Sequence, residues 1–204
     1  MARAPKAVIF DMDGVLCDYD LPRRHQLMAE STGLAAQDIE RIIWTSGFED
    51  AHARGEYTSD DYLAETSRRL GVFIGREQWL AHRAAVMTPN DELLAMARDL
   101  AGRMPTALLT NNGNVLHEAI DDIFPELRTI FGEHTYFSSA LGLAKPDVRV
   151  FAEVTRRLGV APADTLFVDD QEDYGDGGRA AGLMVHQFTT VAAFRQEYGE
   201  RLGF

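Results

Sequence analysis

Residues 7–14 read Ala-Val-Ile-Phe-Asp-Met-Asp-Gly, a short apolar run that ends abruptly in two aspartates and a glycine. Short, continuous apolar runs are typical of strands that are buried on both faces, as they are in a parallel sheet. Asp11 and Asp13 therefore follow a predicted first strand directly, at the carboxyl end where open α/β sheets bind ligands. This stretch predicts both the type of sheet and the place of a functional site.

Similar apolar runs recur along the chain and extend this interpretation to the whole fold. Four further strands are predicted, at residues 106–109, 134–137, 165–168 and 183–186. The stop signals between them predict one helix from about Asp91 to just before Gly102. A second helix is predicted to begin with Pro146 in its first turn and to end before Gly159. Strands that alternate with helices predict an α/β fold, with a Rossmann-like, mostly parallel sheet flanked by helices.

Residues 19–88 interrupt this alternation. They carry helical periodicity and capping signals but no clear buried strand, and Gly33, Gly55 and Gly71 divide them into three or four predicted helices. About 70 residues is far too long for a simple connection between two strands. We therefore predict an inserted, all-helical cap domain at residues 19–88, and a core domain made of residues 1–18 and 89–204.

The composition excludes several classes of protein. The 204 residues include 20 Lys and Arg against 32 Asp and Glu, for a net charge of −12, so no basic surface is expected for nucleic acid. No apolar run approaches the roughly 20 residues of a membrane span, so an integral membrane protein is excluded. The excess of acidic residues also argues against an anionic membrane surface as a partner. Cys17 is the only cysteine and the first residues lack the apolar segment of a secretory signal, so we expect a cytoplasmic location. The sequence makes no prediction of oligomeric state.

The first candidate site is the pair of aspartates at the end of the first strand. Two carboxylates this close repel each other unless a cation or a shared proton lies between them. Asp11 and Asp13 therefore indicate either a Mg²⁺ site or an acid and nucleophile pair. Taken alone, such a pair fits two solvated turn residues equally well.

Three further motifs follow in the chain. Thr110-Asn111-Asn112 places a hydroxyl, side-chain amides and backbone N–H groups at the start of a predicted helix, which is a suitable anion site. Lys145 follows apolar residues that indicate an inward direction. Asp169 and Asp170 end another predicted strand and offer the oxygen ligands that hard cations prefer. Taken alone, these motifs also fit a helix cap, a surface lysine and an acidic loop, respectively. Their order along the chain predicts that they form one site for phosphate and a metal ion.

The four motifs together resemble the haloacid-dehalogenase-like superfamily, specifically its phosphatases with a helical cap after the first strand. The stretch at residues 48–56 is similar to a bacterial subgroup that acts on sugar phosphates such as α-D-glucose 1-phosphate. The resemblance implies a Mg²⁺-dependent phosphatase that hydrolyses a small phosphate monoester through an aspartyl-phosphate. Because a halide leaves without a proton, an acid at position 13 favours phosphate esters over the substrates of the dehalogenases.

The resemblance also implies a role for each motif residue. Asp11 would be the nucleophile, and Asp13 would protonate the leaving group and then activate water. Thr110 and the backbone N–H of Asn111 would hold the phosphoryl oxygens. Lys145 would neutralise charge on the nucleophile and on the phosphate, since phosphoryl transfer depends mainly on positioning and charge stabilisation.

The implied Mg²⁺ ligands are Asp11, the backbone carbonyl of Asp13, and Asp170. Asp169 is expected to lie behind them, although the family pattern also allows the reverse assignment of Asp169 and Asp170. Phosphatases of this kind often have Asp or Asn four residues after the metal aspartate, and this chain has Tyr174 there, whereas Asp173 lies four residues after Asp169. Either the loop is shifted by one residue or the surroundings of the metal differ.

Candidate substrate contacts in the cap are Trp44, Phe48, His52 and Arg54. The spacing of four predicts that Trp44, Phe48 and His52 share one face of a single helix, which also fits the core of the cap itself. Two other functions remain open from the sequence. One is a phosphomutase or phosphotransferase of the same superfamily, and the other is a non-catalytic protein that binds a phosphorylated ligand.

Overall fold

A computed structural model describes residues 3–204 and contains the five predicted strands in one parallel sheet. The strands are β1 (Ala7–Phe10), β2 (Cys17–Tyr19), β3 (Met87–Pro89), β4 (Thr106–Thr110), β5 (Thr135–Phe137), β6 (Thr165–Asp169) and β7 (Met184–Gln187). The sheet has the order β5-β4-β1-β6-β7, and Ile9 of the central strand lies opposite Ala107 and Phe167 of its two neighbours. All four residues of β1 are buried. The α/β fold with a mostly parallel sheet is therefore confirmed.

Helices cover both faces of this sheet. They are α1 (Leu21–Thr32), α2 (Ala36–Glu40), α3 (Phe48–Ala53), α4 (Ser59–Leu70), α5 (Arg76–Ala84), α6 (Asp91–Ala101), α7 (Asn114–Ile123), α8 (Pro125–Phe131), α9 (Ser138–Leu141), α10 (Val148–Leu158), α11 (Glu172–Ala180) and α12 (Val191–Leu202). Alternate residues of a strand point to opposite faces. Val8 therefore packs in the cluster that contains Leu93 of α6, while Ile9 packs in the cluster that contains Val150 of α10. No helix in the described part of the chain is both long and apolar enough to cross a membrane.

The segment between β2 and β3 contains five helices and a π-helical turn at Arg41–Thr45, rather than three or four helices. The two strands pair antiparallel, with Tyr19 opposite Met87. This ribbon joins the helical segment to the sheet, and it was not predicted because each strand has only three residues. The predicted cap is thus helical between its ends, while the domain boundaries at residues 18 and 89 stay a prediction.

Two predicted helices differ from the structure. Asp147, not Pro146, caps α10, because its side chain accepts a hydrogen bond from the backbone N–H of Arg149, so the helix begins at Val148. Trp44 does not share a helix with Phe48, because Gly47 adopts a left-handed conformation with φ of 76° and separates the π-helical turn from α3. The prediction of one continuous helical face is therefore wrong.

Candidate active site

The carboxyl ends of three adjacent strands bring the predicted site residues together. Asp11 follows β1, Thr110 ends β4 and Asp169 ends β6, and β1 lies between the other two strands in the sheet. Parallel strands present their carboxyl ends at the same edge, so residues that are far apart in the sequence meet there. This edge is the candidate active site.

Lys145 is the buried cation of this site. Its Nζ lies 2.8 Å from an oxygen of Asp11 and 2.7 Å from an oxygen of Asp169, and its side chain is completely buried. Burial lowers the pKa of Lys145, but the two carboxylates outweigh this and raise it above its ordinary value. Burial also raises the pKa of Asp11 well above its ordinary value, and Lys145 counteracts that rise. The ammonium group of Lys145 thus forms ion pairs with carboxylates at the ends of two neighbouring strands.

Asn111 holds the backbone of Lys145 in place. Its amide nitrogen donates to the carbonyl of Lys145 at 2.8 Å, and its side-chain oxygen accepts from the N–H of Lys145 at 3.0 Å. The side chain of Asn111 therefore connects the second and third motifs, which leaves its own backbone N–H for the role predicted in phosphate binding. Thr110 is buried and lines a cavity at this edge of the sheet.

Asn112 contacts the predicted acid and base, a role that the sequence did not indicate. Its amide nitrogen donates to Oδ2 of Asp13 at 3.0 Å and to the hydroxyl of Thr110 at 2.7 Å. In the sequence, Asn112 is recognisable only as part of the turn after the predicted strand. Its position directly after Thr110 was the available signal, because a short polar side chain there can reach both neighbouring strand ends.

Arg83 also contacts Asp13, although 70 residues separate them in the sequence. Its Nη2 lies 2.6 Å and 2.7 Å from the two carboxylate oxygens, and its side chain is buried. Burial lowers the pKa of Arg83, but Asp13 and Tyr19 raise it above its ordinary value. Nothing in the sequence around position 83 distinguishes this arginine from the other arginines of the cap.

The acidic residues at the edge fit a divalent cation. Oxygens of Asp11, Asp169 and Asp170 lie within 4.8 Å of one another. Both oxygens of Asp169 accept hydrogen bonds, from Lys145 and from the N–H of Gln171 at 2.8 Å. Asp170 differs, because its Oδ1 is buried and has no hydrogen-bond partner among the described residues. A buried, unpaired carboxylate oxygen beside other hard ligands suits Mg²⁺.

Gly14 allows the first motif to approach Asp170. A Cβ atom at this position would lie 2.5 Å from Oδ2 of Asp170, and the backbone has φ of 79°, which disfavours other residues. Burial, followed by the charge of Asp169, raises the pKa of Asp170. A bound cation would oppose this rise by stabilising the carboxylate.

Tyr174 occupies the position where related phosphatases often carry Asp or Asn. Its ring centre lies 4.8 Å from Nζ of Lys145, and burial raises the pKa of its hydroxyl. Asp173 is exposed on α11, so the loop is not shifted by one residue to place Asp173 in the site. Tyr174 therefore covers Lys145 with an aromatic face instead of an acidic group.

Two cavities adjoin this site. The first, of about 260 Å³, is lined by Asp11, Asp13, Tyr19, Leu21, Thr110, Asn111, Asn112, Asp170, Gln171 and Tyr174. The second, of about 350 Å³, lies between α3 and the sheet edge and is lined by Glu49, Asp50, Ala53, Arg54, Asn111, Ala144, Lys145, Pro146 and Tyr174. Asn111 and Tyr174 border both cavities, so the second cavity adjoins the first.

The four cap candidates separate into two groups. Arg54 borders the second cavity and forms an ion pair with Glu56 at 2.7 Å. Trp44, Phe48 and His52 line neither cavity. Phe48 and His52 are buried and stack on the ring of Tyr62, with ring centres 4.9 Å and 3.6 Å away. These two residues pack inside the cap, which is the alternative interpretation of their spacing, and the ring of His52 also lies against Gly113 at the start of α7.

Comparisons with known proteins point to one family. A family model for haloacid dehalogenase-like hydrolases matches residues 5–182. Phosphatase MT3486 of Mycobacterium tuberculosis is 28% identical and the match covers 88% of this chain and 85% of that protein. Sesquiterpene phosphatase astK of Aspergillus oryzae is 26% identical, with 97% of each chain covered. D-ribitol-5-phosphate phosphatase of Bacteroides thetaiotaomicron is 27% identical, with 94% and 96% covered.

The fold is also found among solved structures. The crystal structure of HAD family enzyme bt-2542 from Bacteroides thetaiotaomicron, in complex with magnesium and inorganic phosphate, superimposes with a TM-score of 0.78. The two sequences are 22% identical, and the alignment covers 92% of this chain and 96% of that one. At this level of identity the likeness concerns the fold of the sheet and its helices.

Proposed function

The chain belongs to the haloacid dehalogenase-like hydrolase family and is a phosphoric monoester hydrolase. We propose that it hydrolyses a small sugar phosphate, that it requires Mg²⁺, and that the reaction passes through an aspartyl-phosphate on Asp11. The observation that carries this proposal is the position of Lys145, whose Nζ lies within 2.8 Å of both Asp11 and Asp169. A buried cation between two carboxylates keeps Asp11 available as a nucleophile beside a group that neutralises phosphate charge.

The proposed reaction has two steps. An oxygen of Asp11 attacks phosphorus while the bond to the ester oxygen breaks, and Asp13 donates its proton to the departing alkoxide. Asp13, now a carboxylate, then accepts a proton from water, whose oxygen attacks the phosphorus of the aspartyl-phosphate. Phosphate is released and Asp11 is restored. The hydroxyl of Thr110 and the N–H of Asn111 hold the phosphoryl oxygens in both steps.

The metal ligands in this proposal are Asp11, the backbone carbonyl of Asp13, and Asp170. The unpaired oxygen of Asp170 supports this assignment over one in which Asp169 binds the metal, because both oxygens of Asp169 are already hydrogen-bonded. When bound, Mg²⁺ supplies positive charge that offsets the charges of the nucleophile and the phosphate. The related enzyme bt-2542 was crystallised with magnesium and phosphate, which supports the same choice of metal here.

The second cavity supports a hydroxyl-rich leaving group. Glu49, Asp50 and Arg54 line it, and charged side chains of this kind accept and donate hydrogen bonds to sugar hydroxyls. Two of the named relatives are a D-ribitol-5-phosphate phosphatase and a sesquiterpene phosphatase, so the class of substrate differs between them. A panel of hexose, pentitol, terpenyl and nucleoside monophosphates tests the proposal, and a preference for terpenyl or nucleoside phosphates would contradict the sugar-phosphate assignment.

The activity itself is tested with p-nitrophenyl phosphate in Mg²⁺ and in EDTA. We expect turnover in Mg²⁺, none in EDTA, and a loss of about 1000-fold or more in Asp11→Asn, because the variant lacks the nucleophile. Asp173→Asn is the matched control, since Asp173 is an exposed aspartate that lines neither cavity. Turnover that survives in Asp11→Asn, or that is absent from the wild type with Mg²⁺, contradicts the proposal.

A further inference from the structure

The contact between Arg83 and Asp13 joins the cap to the acid and base of the proposed reaction. One guanidinium nitrogen, Nη2, lies within 2.7 Å of both carboxylate oxygens, so it restricts the rotation of the carboxylate. The side chain of Asp13 is 23% exposed, and its open side faces the first cavity. Arg83 therefore binds Asp13 from the cap side while leaving it accessible to a reactant.

The side chain of Arg83 is buried, and its guanidinium group hydrogen-bonds to Asp13. Its guanidinium lies over the ring of Tyr19 with 4.0 Å between the central carbon and the ring centre, and its side chain is 1% exposed. Nε and Nη1 are buried without hydrogen-bond partners among the residues that the structure describes. Asp13 is thus its hydrogen-bonded partner in a buried site, where loss of one member leaves the other charge uncompensated.

The base of the cap holds this pair. Arg83 lies at the end of α5, just before β3, and Tyr19 lies in β2, so both belong to the region where the cap joins the sheet. Asn112, at the sheet edge, also donates to Oδ2 of Asp13, at 3.0 Å. The carboxylate is therefore held between a residue of the cap and a residue of the sheet edge.

We propose that Arg83 is a positioning residue of the reaction. It orients the carboxylate of Asp13 toward the first cavity, so proton transfer by Asp13 depends on how α5 packs against the sheet. This inference rests on the proposed phosphatase activity. The competing interpretation is that the pair only stabilises the packing of the cap. In that case the loss of Arg83 destabilises the fold, and any change in kcat is the same whether or not the carboxylate of Asp13 is present.

A double-mutant cycle separates these two roles. We expect Arg83→Met to lower kcat for p-nitrophenyl phosphate and for a sugar phosphate by about 10- to 100-fold, since misplacement of a reacting group by about 1 Å has effects of this size. KM should change by less than about threefold, because Arg83 lines neither cavity. In Asp13→Asn, the further change of Arg83 to Met should alter kcat by less than about twofold, since the carboxylate that it orients is gone.

Arg24→Met is the matched control for packing. Arg24 is also a buried arginine of the cap, its Nη1 donates to the hydroxyl of Tyr19 at 2.8 Å, and it lies 4.6 Å over the ring of Trp79, but it does not contact Asp13. We expect a smaller loss of kcat in this variant. Arg83→Lys should recover part of the kcat lost in Arg83→Met, because it keeps a buried donor and its charge.

The outcomes are distinguishable. The proposal is wrong if Arg83→Met loses no more kcat than Arg24→Met, or if it lowers kcat by the same factor in wild type and in Asp13→Asn. Circular dichroism checks that each variant is folded. If Arg83→Met is unfolded, the cycle is carried out with Arg83→Lys instead. The loss of kcat should then again be non-additive with that of Asp13→Asn, and an additive loss contradicts the proposal. A wild type that is inactive with Mg²⁺, or an Asp11→Asn variant that keeps its turnover, refutes the proposed function instead.

Discussion

Replacement of Lys145 by methionine should strongly destabilise the protein, because it leaves two buried carboxylates without their cation. Nζ lies 2.8 Å from Asp11 and 2.7 Å from Asp169, and the side chains of Lys145 and Asp169 are completely buried. With an effective dielectric constant of about 20, each contact corresponds to about 6 kcal/mol of Coulomb energy before desolvation. Removing one partner of a buried pair costs about 3–5 kcal/mol net, so we expect a loss of this size in the free energy of unfolding at pH 7.

The loss should depend on pH. Burial already holds the pKa of Asp11 above its ordinary value of 3.8, and removal of the neighbouring ammonium raises it further. A carboxyl whose pKa is higher in the folded than in the unfolded state stabilises the fold at low pH, and this contribution is lost as the pH rises. The variant should therefore be least stable relative to wild type near pH 8, and the difference should shrink toward the ordinary carboxyl pKa.

Urea unfolding followed by circular dichroism, in EDTA at pH 5 and pH 8, measures both effects. The matched control is Lys6→Met, which removes the other lysine of the chain. Lys6 also pairs with an aspartate, Asp164 at 3.0 Å, but its side chain is 65% exposed, so we expect a change below about 1 kcal/mol. A loss below about 1 kcal/mol in Lys145→Met at both pH values, or a loss that is larger at pH 5 than at pH 8, would refute the reasoning.

Three further predictions concern the site and its contact with the cap. Asp170→Asn should raise the Mg²⁺ concentration for half-maximal turnover by about tenfold or more, because it weakens a proposed ligand, and an unchanged Mg²⁺ titration would contradict that role. Thr110→Val should lower kcat/KM by about tenfold through loss of a hydrogen bond to a charged phosphate, whereas Thr110→Ser should keep it; equal activities of the two variants would argue against the contact. Gly113→Ala should destabilise the protein by about 2 kcal/mol or more in urea unfolding, since a Cβ would lie 2.1–2.2 Å from ring atoms of His52, whereas Gly102→Ala meets no atom closer than 3.4 Å and should be nearly neutral.

Most of the sheet could be predicted from local patterns. The five strands of the sheet were placed to within a residue or so, because a strand buried on both faces needs a continuous apolar run that is visible in the sequence. The ribbon of β2 and β3 was missed, since three-residue strands carry no such pattern. The interruption at Gly47 was missed because a spacing of four residues is the same whether or not the helix continues.

The sequence alone determined which strand ends carry Asp11, Thr110, Asp169 and Asp170, because parallel pairing brings the carboxyl ends of adjacent strands to one edge whatever the details of packing. Tertiary structure decided what those side chains contact. The pairing of Arg83 with Asp13 across 70 residues depends on where α5 packs, and the face that Tyr174 presents to Lys145 depends on the rotation of α11. Such contacts join residues without a common local pattern, so only the folded arrangement of cap and sheet can determine them.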